Sequence, residues 1–257
     1  MSRAVSQMLA DQYYNSMVAA RRRGPLWSVT DLGELAARLG SPVTFDRRGD
    51  VCLIDNFDEG ILKWGSNAWG AGGSVSISPD RARHGAWSVK MVAGSDGYRM
   101  AQIYQVMAFP SRGKLGMECA FAFDARLDWF GLLFDLYDGE YFHEPLVVYD
   151  YSNLHLWIRN GAGEVVDLAT GLDLYVPYYP FWLLKVVVDF ESVKYMRVLL
   201  NNTEYDVSGV SYLRSADSSN ARLRVGVKSV GLEYLEGQYN SVVYVDDVIV
   251  TQNEPEN

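Results

Sequence analysis

The stretch that decides the fold is Ala221-Arg-Leu-Arg-Val-Gly-Val-Lys-Ser-Val230, in which apolar and polar residues alternate. The odd-numbered positions include the apolar residues Leu223, Val225 and Val227. The even-numbered positions include the basic residues Arg222, Arg224 and Lys228. Successive side chains of a β-strand point to opposite faces of its sheet. The alternation therefore predicts a strand with one face in an apolar core and one polar face.

Similar segments recur from Pro42 to the C-terminus, separated by turn sequences such as Asp138-Gly139 and Asn201-Asn202. The later strand candidates are residues 74–78, 87–93, 99–107, 115–124, 129–137, 146–151, 154–159, 181–190, 193–200, 221–230 and 241–251. Many strands without intervening helices predict a mainly β protein, an antiparallel β-sandwich. We expect the sandwich to cover residues 43–252, followed by a polar tail at 253–257.

The first 42 residues differ and predict a helical arm of two short helices. Val5, Leu9, Tyr13 and Met17 recur at i+4, which is the spacing of one helix face. Cations in the last turn, followed by Gly24-Pro25, are typical of a helix end. A second helix is predicted to end at Gly40.

Charge is distributed unevenly along the 257 residues, whose net charge is −9. Residues 1–48 carry a net charge of +3 and the remainder −12. The acidic balance argues against nucleic acid as the main partner. A basic arm on an acidic body suggests that Arg21, Arg22 and Arg23 dock the arm on another protein subunit, in a homo-oligomer or a larger assembly. The alternative is that the three arginines only cap the first helix.

The N-terminal sequence lacks the apolar run of a secretory signal, and no segment has the about 20 apolar residues of a transmembrane helix. We therefore expect synthesis in the cytoplasm without a cleaved signal, and no membrane partner. This is compatible with a place on the surface of a virion or another extracellular particle.

Several segments resemble a known kind of sandwich. Asp55-Asn-Phe-Asp-Glu-Gly60, Trp64, Ala82–Lys90 and Val243–Val250 resemble the first and last strands of jelly-roll carbohydrate-binding modules. The pair 181–189 and 195–201 resembles the central hairpin of concanavalin A-like or laminin G-like sandwiches. The resemblance covers residues 51–251 and implies a jelly-roll, concanavalin A-like fold.

This resemblance also implies a structural Ca²⁺ ion, held between the first strand and the last. The matching carboxylates are Asp58 and Asp246, with Asp247 as an alternative to Asp246. Calcium takes 6–8 oxygen ligands, so backbone carbonyls near His84 would have to contribute. No other cofactor is implied.

The sequence predicts no catalytic residue. Glycoside hydrolysis needs two carboxylates on either side of the scissile bond. The nearest cluster contains Asp135, Asp138, Glu140, His143 and Glu144. A hairpin turn at Asp138-Gly139 interrupts it, so these residues are not expected to share one face. We expect a protein that is not an enzyme.

Aromatic residues supply the candidate binding site. Trp69 stands in a glycine-rich loop, and a second group precedes a predicted strand: Tyr175, Tyr178, Tyr179 and Trp182. Exposed, these rings could stack on a glycan or fill a pocket of a partner protein. Packed under the edge of the sandwich, they would instead belong to the core.

Three functions are therefore open. The first is a structural protein of a virion, such as a capsid decoration, minor capsid or tail component, because the sequence combines an amphipathic arm with a sandwich that shows no recognisable chemistry. The alternative is a carbohydrate-binding module that recognises a polysaccharide through surface aromatic residues. The third is a concanavalin-like glycoside hydrolase.

Overall fold

The computed structural model describes residue 46 and residues 48–61, 63–95, 99–107, 113–125, 127–174, 180–231 and 240–256. The chain divides into two units, 1–43 and 44–257, and every described residue belongs to the second. The predicted helical arm, with Arg21, Arg22 and Arg23, lies outside the described residues. Across those residues there is no helix of the length and apolar character needed to cross a membrane.

The described residues confirm the predicted fold class, because they form strands and no helix. The strands are β1 (Asp50–Asp55), β2 (Gly65–Ala68), β3 (Ser74–Ser78), β4 (Ser88–Ala93), β5 (Met100–Met107), β6 (Lys114–Phe123), β7 (Leu127–Tyr137), β8 (Tyr141–His143), β9 (Leu146–Asp150), β10 (His155–Arg159), β11 (Val165–Ala169), β12 (Trp182–Asp189), β13 (Lys194–Leu200), β14 (Thr203–Asp206), β15 (Arg214–Ala216), β16 (Arg222–Gly231) and β17 (Ser241–Gln252).

These strands form two antiparallel sheets. The eight-stranded sheet has the order β14-β13-β12-β6-β17-β4-β3, with β1 also paired to β17. The nine-stranded sheet has the order β11-β10-β9-β7-β16-β5-β2, with β8 and β15 beside the end of β7. The two strands at the C-terminal end of the chain are inserted between earlier strands. β16 lies between β5 and β7, and β17 lies between β4 and β6.

The apolar core fills the space between the sheets. Leu223, Val225 and Val227 of β16 are all buried in it, as the alternation in this segment predicts. Phe121 of β6 and Phe130 of β7 belong to opposite sheets, and their rings stack with centroids 4.2 Å apart. Offset aromatic pairs of this kind add to the stabilisation from buried apolar area. The core therefore fixes which parity of each strand faces outward.

The outer face of the eight-stranded sheet carries charged side chains that are buried. The buried ion network consists of the side chains of Asp46, Lys185, Arg197 and Glu254, and the buried carboxyl group of Glu118 lies near Lys185. Lys185 Nζ lies 3.0 Å from Asp46 Oδ2 and 2.8 Å from Glu254 Oε1. Arg197 Nε lies 3.2 Å from Asp46 Oδ2, and its terminal nitrogen contacts Glu254. Buried charges need partners of this kind, because desolvation is costly.

The network changes the interpretation of the C-terminal residues. Residues 253–257 are polar in sequence, yet Glu254 is only 2% exposed. Arg197 also donates a hydrogen bond of 3.0 Å to the backbone oxygen of Pro255. The segment that follows β17 is therefore packed on the sheet by ionic contacts rather than by apolar ones.

Candidate functional site

The outer face of the nine-stranded sheet combines aromatic and basic side chains. Most of them come from three adjacent strands, β5, β7 and β16, whose other parity faces the core, and one, Phe142, comes from β8. We call this surface the basic–aromatic face; it consists of Gln102, Tyr104, Trp129, Asp135, Tyr137, Phe142, Arg222, Arg224 and Lys228. The register places these residues in rows across the strands, such as Arg222 opposite Tyr137 and Tyr137 opposite Phe142.

Tyr104 and Arg224 form the middle of the face. Tyr104 lies opposite Gly65, and a Cβ atom at Gly65 would overlap the tyrosine ring, so the ring covers the glycine. The Arg224 guanidinium carbon lies 5.1 Å from the centroid of the Tyr104 ring. Arg224 Nε also donates a hydrogen bond of 2.6 Å to Asp135 Oδ2. The tyrosine, arginine and carboxylate therefore hold one another in a defined orientation.

A second cation–aromatic group lies towards the end of β7. The Tyr137 and Phe142 rings stack with centroids 4.4 Å apart and an interplanar angle of 23°. The Arg222 guanidinium carbon lies 4.2 Å from the Tyr137 centroid. A cation over an aromatic ring is attracted by the ring quadrupole, which orients the guanidinium plane. Arg222 remains exposed in this position.

The third group lies at the other end of the same strands. Lys228 Nζ is 5.3 Å from the centroid of the Trp129 ring, and both side chains are half-buried. Between the three groups lie Gly131 and Gly226, which have no side chain. A Cβ atom at Gly131 would come within 2.8 Å of the Val147 oxygen, so a larger residue does not fit there.

The sequence predicted a different set of aromatic residues. Tyr175, Tyr178 and Tyr179 lie outside the described residues. Trp182, the first residue of β12, is half-buried against the core and belongs to the other sheet. Trp69 is 37% exposed in the turn after β2, where its backbone nitrogen donates to the Met100 oxygen at 2.8 Å. Trp182 therefore does not lie on the basic–aromatic face, whereas Trp69 follows β2, at the edge of the sheet that carries this face.

Sequence reasoning missed the aromatic half of the face, although a signal for it exists. The parity opposite to the core residues of β7 contains Trp129, Asp135 and Tyr137. The same rule of alternation that identified Arg222 and Arg224 would have selected them.

Asp246, one of the two predicted calcium ligands, is fully buried at a bulge in β17. Its Oδ2 atom accepts backbone hydrogen bonds from Arg83 (2.7 Å) and His84 (3.2 Å), and its Oδ1 atom accepts one from Asp247 (2.8 Å). Burial and the nearby charge of Asp247 together raise the pKa of Asp246 to about 6, against the effect of these N–H donors.

Asp58, the other predicted ligand, binds the same loop. Its Oδ1 atom accepts a hydrogen bond of 2.9 Å from the Ala86 nitrogen, two residues beyond His84. The structure thus brings both carboxylates to one short loop, but the groups that face them there are peptide N–H donors. The described residues contain no group of three or more His, Cys, Asp or Glu side chains arranged to hold a metal ion. Calcium binding at Asp58 and Asp246 stays a prediction.

The carboxylate cluster around the hairpin turn is divided between faces. Asp135 points outward to Arg224, whereas His143 is buried against the ring of Tyr212. Asp138 Oδ2 lies 3.3 Å from His143 Nε2 at the turn itself. Asp135 and His143 therefore do not form one site.

Comparisons with known proteins show the fold. No family model matches the chain, and no curated protein matches its sequence significantly. A carbohydrate esterase from Shiga toxin-encoding bacteriophage phi24B superposes with a TM-score of 0.52 at 12% identity, over 80% of this chain and 100% of its own. A structure from work on endo-acting O-glycanases of the human gut microbiota gives 0.51 at 16%, over 79% and 99%. A sialidase gives 0.50 at 10%, over 83% of this chain but 19% of its own. The chain is an antiparallel β-sandwich of the jelly-roll, concanavalin A-like kind.

Proposed function

We propose that this chain is a carbohydrate-binding protein that recognises a polysaccharide on the basic–aromatic face. The observation that carries the proposal is the set of three cation–aromatic pairs on adjacent strands: Arg222 with Tyr137, Arg224 with Tyr104, and Lys228 with Trp129. All three are on the outer face of one sheet, where a long ligand can lie across several strands.

The chemistry of the face suits a sugar chain. A sugar ring has C–H groups that pack on an aromatic plane and hydroxyl groups that need hydrogen-bond partners. Tyr104 and Trp129 supply half-exposed rings, and Gln102, Arg222 and Arg224 supply polar groups beside them. Because strands position these side chains, little conformational entropy is lost on binding.

The names of two of the superposable structures also support carbohydrate binding. The phage esterase and the gut O-glycanase structure are, by their descriptions, concerned with carbohydrates. At 12% and 16% identity the likeness extends to the fold alone, so the proposal depends on the basic–aromatic face.

We further propose that the chain binds without catalysis. Hydrolysis of a glycosidic bond by the usual route needs two carboxylates about 5–10 Å apart. On the basic–aromatic face, Arg224 holds the Asp135 carboxylate in an ion pair, and Asp135 is only 5% exposed. A carboxylate that is buried and paired in this way does not suit one of those two roles.

Affinity electrophoresis through gels that contain a panel of polysaccharides tests the proposal. We expect at least one polysaccharide to retard the native chain, and Trp129→Ala to abolish the retardation. Trp87→Ala is the matched control, because Trp87 is 39% exposed and precedes β4 of the other sheet. Retardation by no polysaccharide, or equal loss in both variants, would overturn carbohydrate binding on this face. Release of new reducing ends would overturn the non-catalytic assignment.

The virion and oligomer predictions depend mainly on residues 1–42. Because these residues are outside the described part of the chain, a structural role with other protein subunits stays a prediction.

A further inference from the structure

We propose that the polysaccharide bound on the basic–aromatic face is anionic and carries carboxylate groups, as in chains of uronic acids. This inference rests on the proposed function and adds the class of ligand to it.

Three cations lie on this face although the chain as a whole has a net charge of −9. They are Arg222, Arg224 and Lys228 of β16, and each lies beside an aromatic ring. The nearby carboxylates are Asp135, which Arg224 holds in an ion pair, and Asp150 of β9, which lies opposite Trp129. An anionic polymer is attracted to cations placed in this way beside the rings.

Arg222 has the capacity to bind a carboxylate. Asp135 accepts its hydrogen bonds from Arg224. Arg222 itself has no ion-pair partner within the described ranges, is exposed, and is oriented by the Tyr137 ring at 4.2 Å. A guanidinium group held flat on a ring keeps its N–H edges directed sideways, where a planar carboxylate can accept two parallel hydrogen bonds.

The spacing of the cations favours a polymer over a single sugar. Arg222 and Lys228 are six residues apart on one strand, which corresponds to about 20 Å. The two cations therefore contact different units of an extended chain, and each lies beside its own aromatic ring, Tyr137 or Trp129. A repeating acidic sugar presents a carboxylate at both places, whereas a neutral sugar offers neither cation a charged partner.

The test compares acidic polysaccharides with their own carboxyl-reduced forms, in which each carboxylate has become a primary alcohol. Polygalacturonate, alginate and hyaluronan, each beside its reduced form, are the probes. We expect at least one acidic polymer to bind about tenfold or more tightly than its reduced form, since a charged hydrogen bond is lost at each contact. Binding should also weaken as NaCl rises from about 50 mM to about 500 mM.

A pair of arginine variants locates the effect. Arg222→Gln should weaken binding of the acidic polymer about tenfold, to the level of the reduced polymer. Arg214→Gln is the matched control: Arg214 is also exposed and stacked on a tyrosine, 4.5 Å from the Tyr141 centroid, but it has the parity of buried His143. We expect native affinity from this variant.

The outcomes separate this inference from the proposed function. Equal binding of acidic and reduced polymers, or retention by neutral polysaccharides alone, would overturn the anionic assignment while Trp129→Ala still abolishes binding. An equal loss in Arg222→Gln and Arg214→Gln would also overturn it. Retention by no polysaccharide would overturn the proposed function itself.

Discussion

Lys185 Nζ lies 2.8 Å from the Glu254 carboxylate, and both side chains are buried on the outer face of the eight-stranded sheet. The lysine belongs to β12, whereas the glutamate follows the end of β17. The contact therefore ties the C-terminal segment to the middle of the sheet, and it is shared with Arg197.

Loss of the Glu254 charge should destabilise the whole sandwich. Glu254→Gln removes the buried carboxylate that contacts both Lys185 and Arg197. Removing one partner of a buried ion pair costs about 3–5 kcal/mol, because the remaining charge is not compensated. Urea unfolding followed by tryptophan fluorescence measures the free energy of unfolding.

Glu256→Gln is the control for this variant. The Glu256 side chain is 83% exposed, and its partner Lys114 lies 2.6 Å away at the surface. An exposed pair contributes little, so this variant should unfold like the native chain. Equal free energies of unfolding for the Glu254 and Glu256 variants would contradict the buried ion network.

Glu118 should make the free energy of unfolding fall as the pH rises, which is the opposite of the usual effect of a carboxyl group. Burial raises the pKa of Glu118 to about 8, against the opposing charge of Lys185. Its Oε1 atom has no hydrogen-bond partner among the described residues. A carboxyl group with a folded pKa above its unfolded value, about 4.5, favours the folded state while it is protonated. That contribution is complete below about pH 4.5 and is lost as the pH rises through about 8.

Glu118→Gln isolates this effect, because glutamine does not titrate. The free energy of unfolding of the native chain, relative to the variant, should fall steadily between about pH 5 and about pH 9. Denaturant titrations at several pH values within this range provide the comparison. A constant difference across the range would show that Glu118 is ionised in the folded chain.

These relationships mark the limit of sequence reasoning for this chain. The alternation at 221–230 correctly predicted β16 and its buried parity, because a strand's period is a local property. The basic–aromatic face could not be assembled that way, since Tyr104 of β5 and Asp135 of β7 both contact Arg224 only because β16 lies between β5 and β7. The burial of Glu254 was equally hidden, because a polar residue after the last strand ordinarily favours solvent.

The calcium prediction has a direct test in thermal unfolding. A ligand that binds only the folded chain raises the unfolding midpoint. We expect about 1 mM Ca²⁺ to raise the midpoint above its value in chelator. Asp58→Asn and Asp246→Asn should each remove the increase, because each replaces a carboxylate of the predicted site. Asp80→Asn, at an aspartate paired with Lys90, should retain it. Equal midpoints of the native chain in calcium and in chelator would contradict a structural calcium ion.

Gly65 should matter for binding through the ring that covers it. A methyl group at Gly65 would overlap the Tyr104 ring, and the ring, being the far end of a side chain, can move aside. Gly65→Ala should therefore leave the free energy of unfolding nearly unchanged. It should weaken polysaccharide binding about fivefold, because the displaced Tyr104 ring no longer keeps its position beside Arg224.

A double-mutant cycle shows whether the two residues act as one unit. If Gly65 contributes only by seating the Tyr104 ring, the Gly65→Ala, Tyr104→Ala double variant should bind no more weakly than Tyr104→Ala alone. The assay is affinity electrophoresis in whichever polysaccharide retards the native chain. Losses that simply add would mean that Gly65 and Tyr104 contribute independently. If Gly65→Ala binds with native affinity while Tyr104→Ala does not bind, the position of the Tyr104 ring over Gly65 is unimportant for recognition.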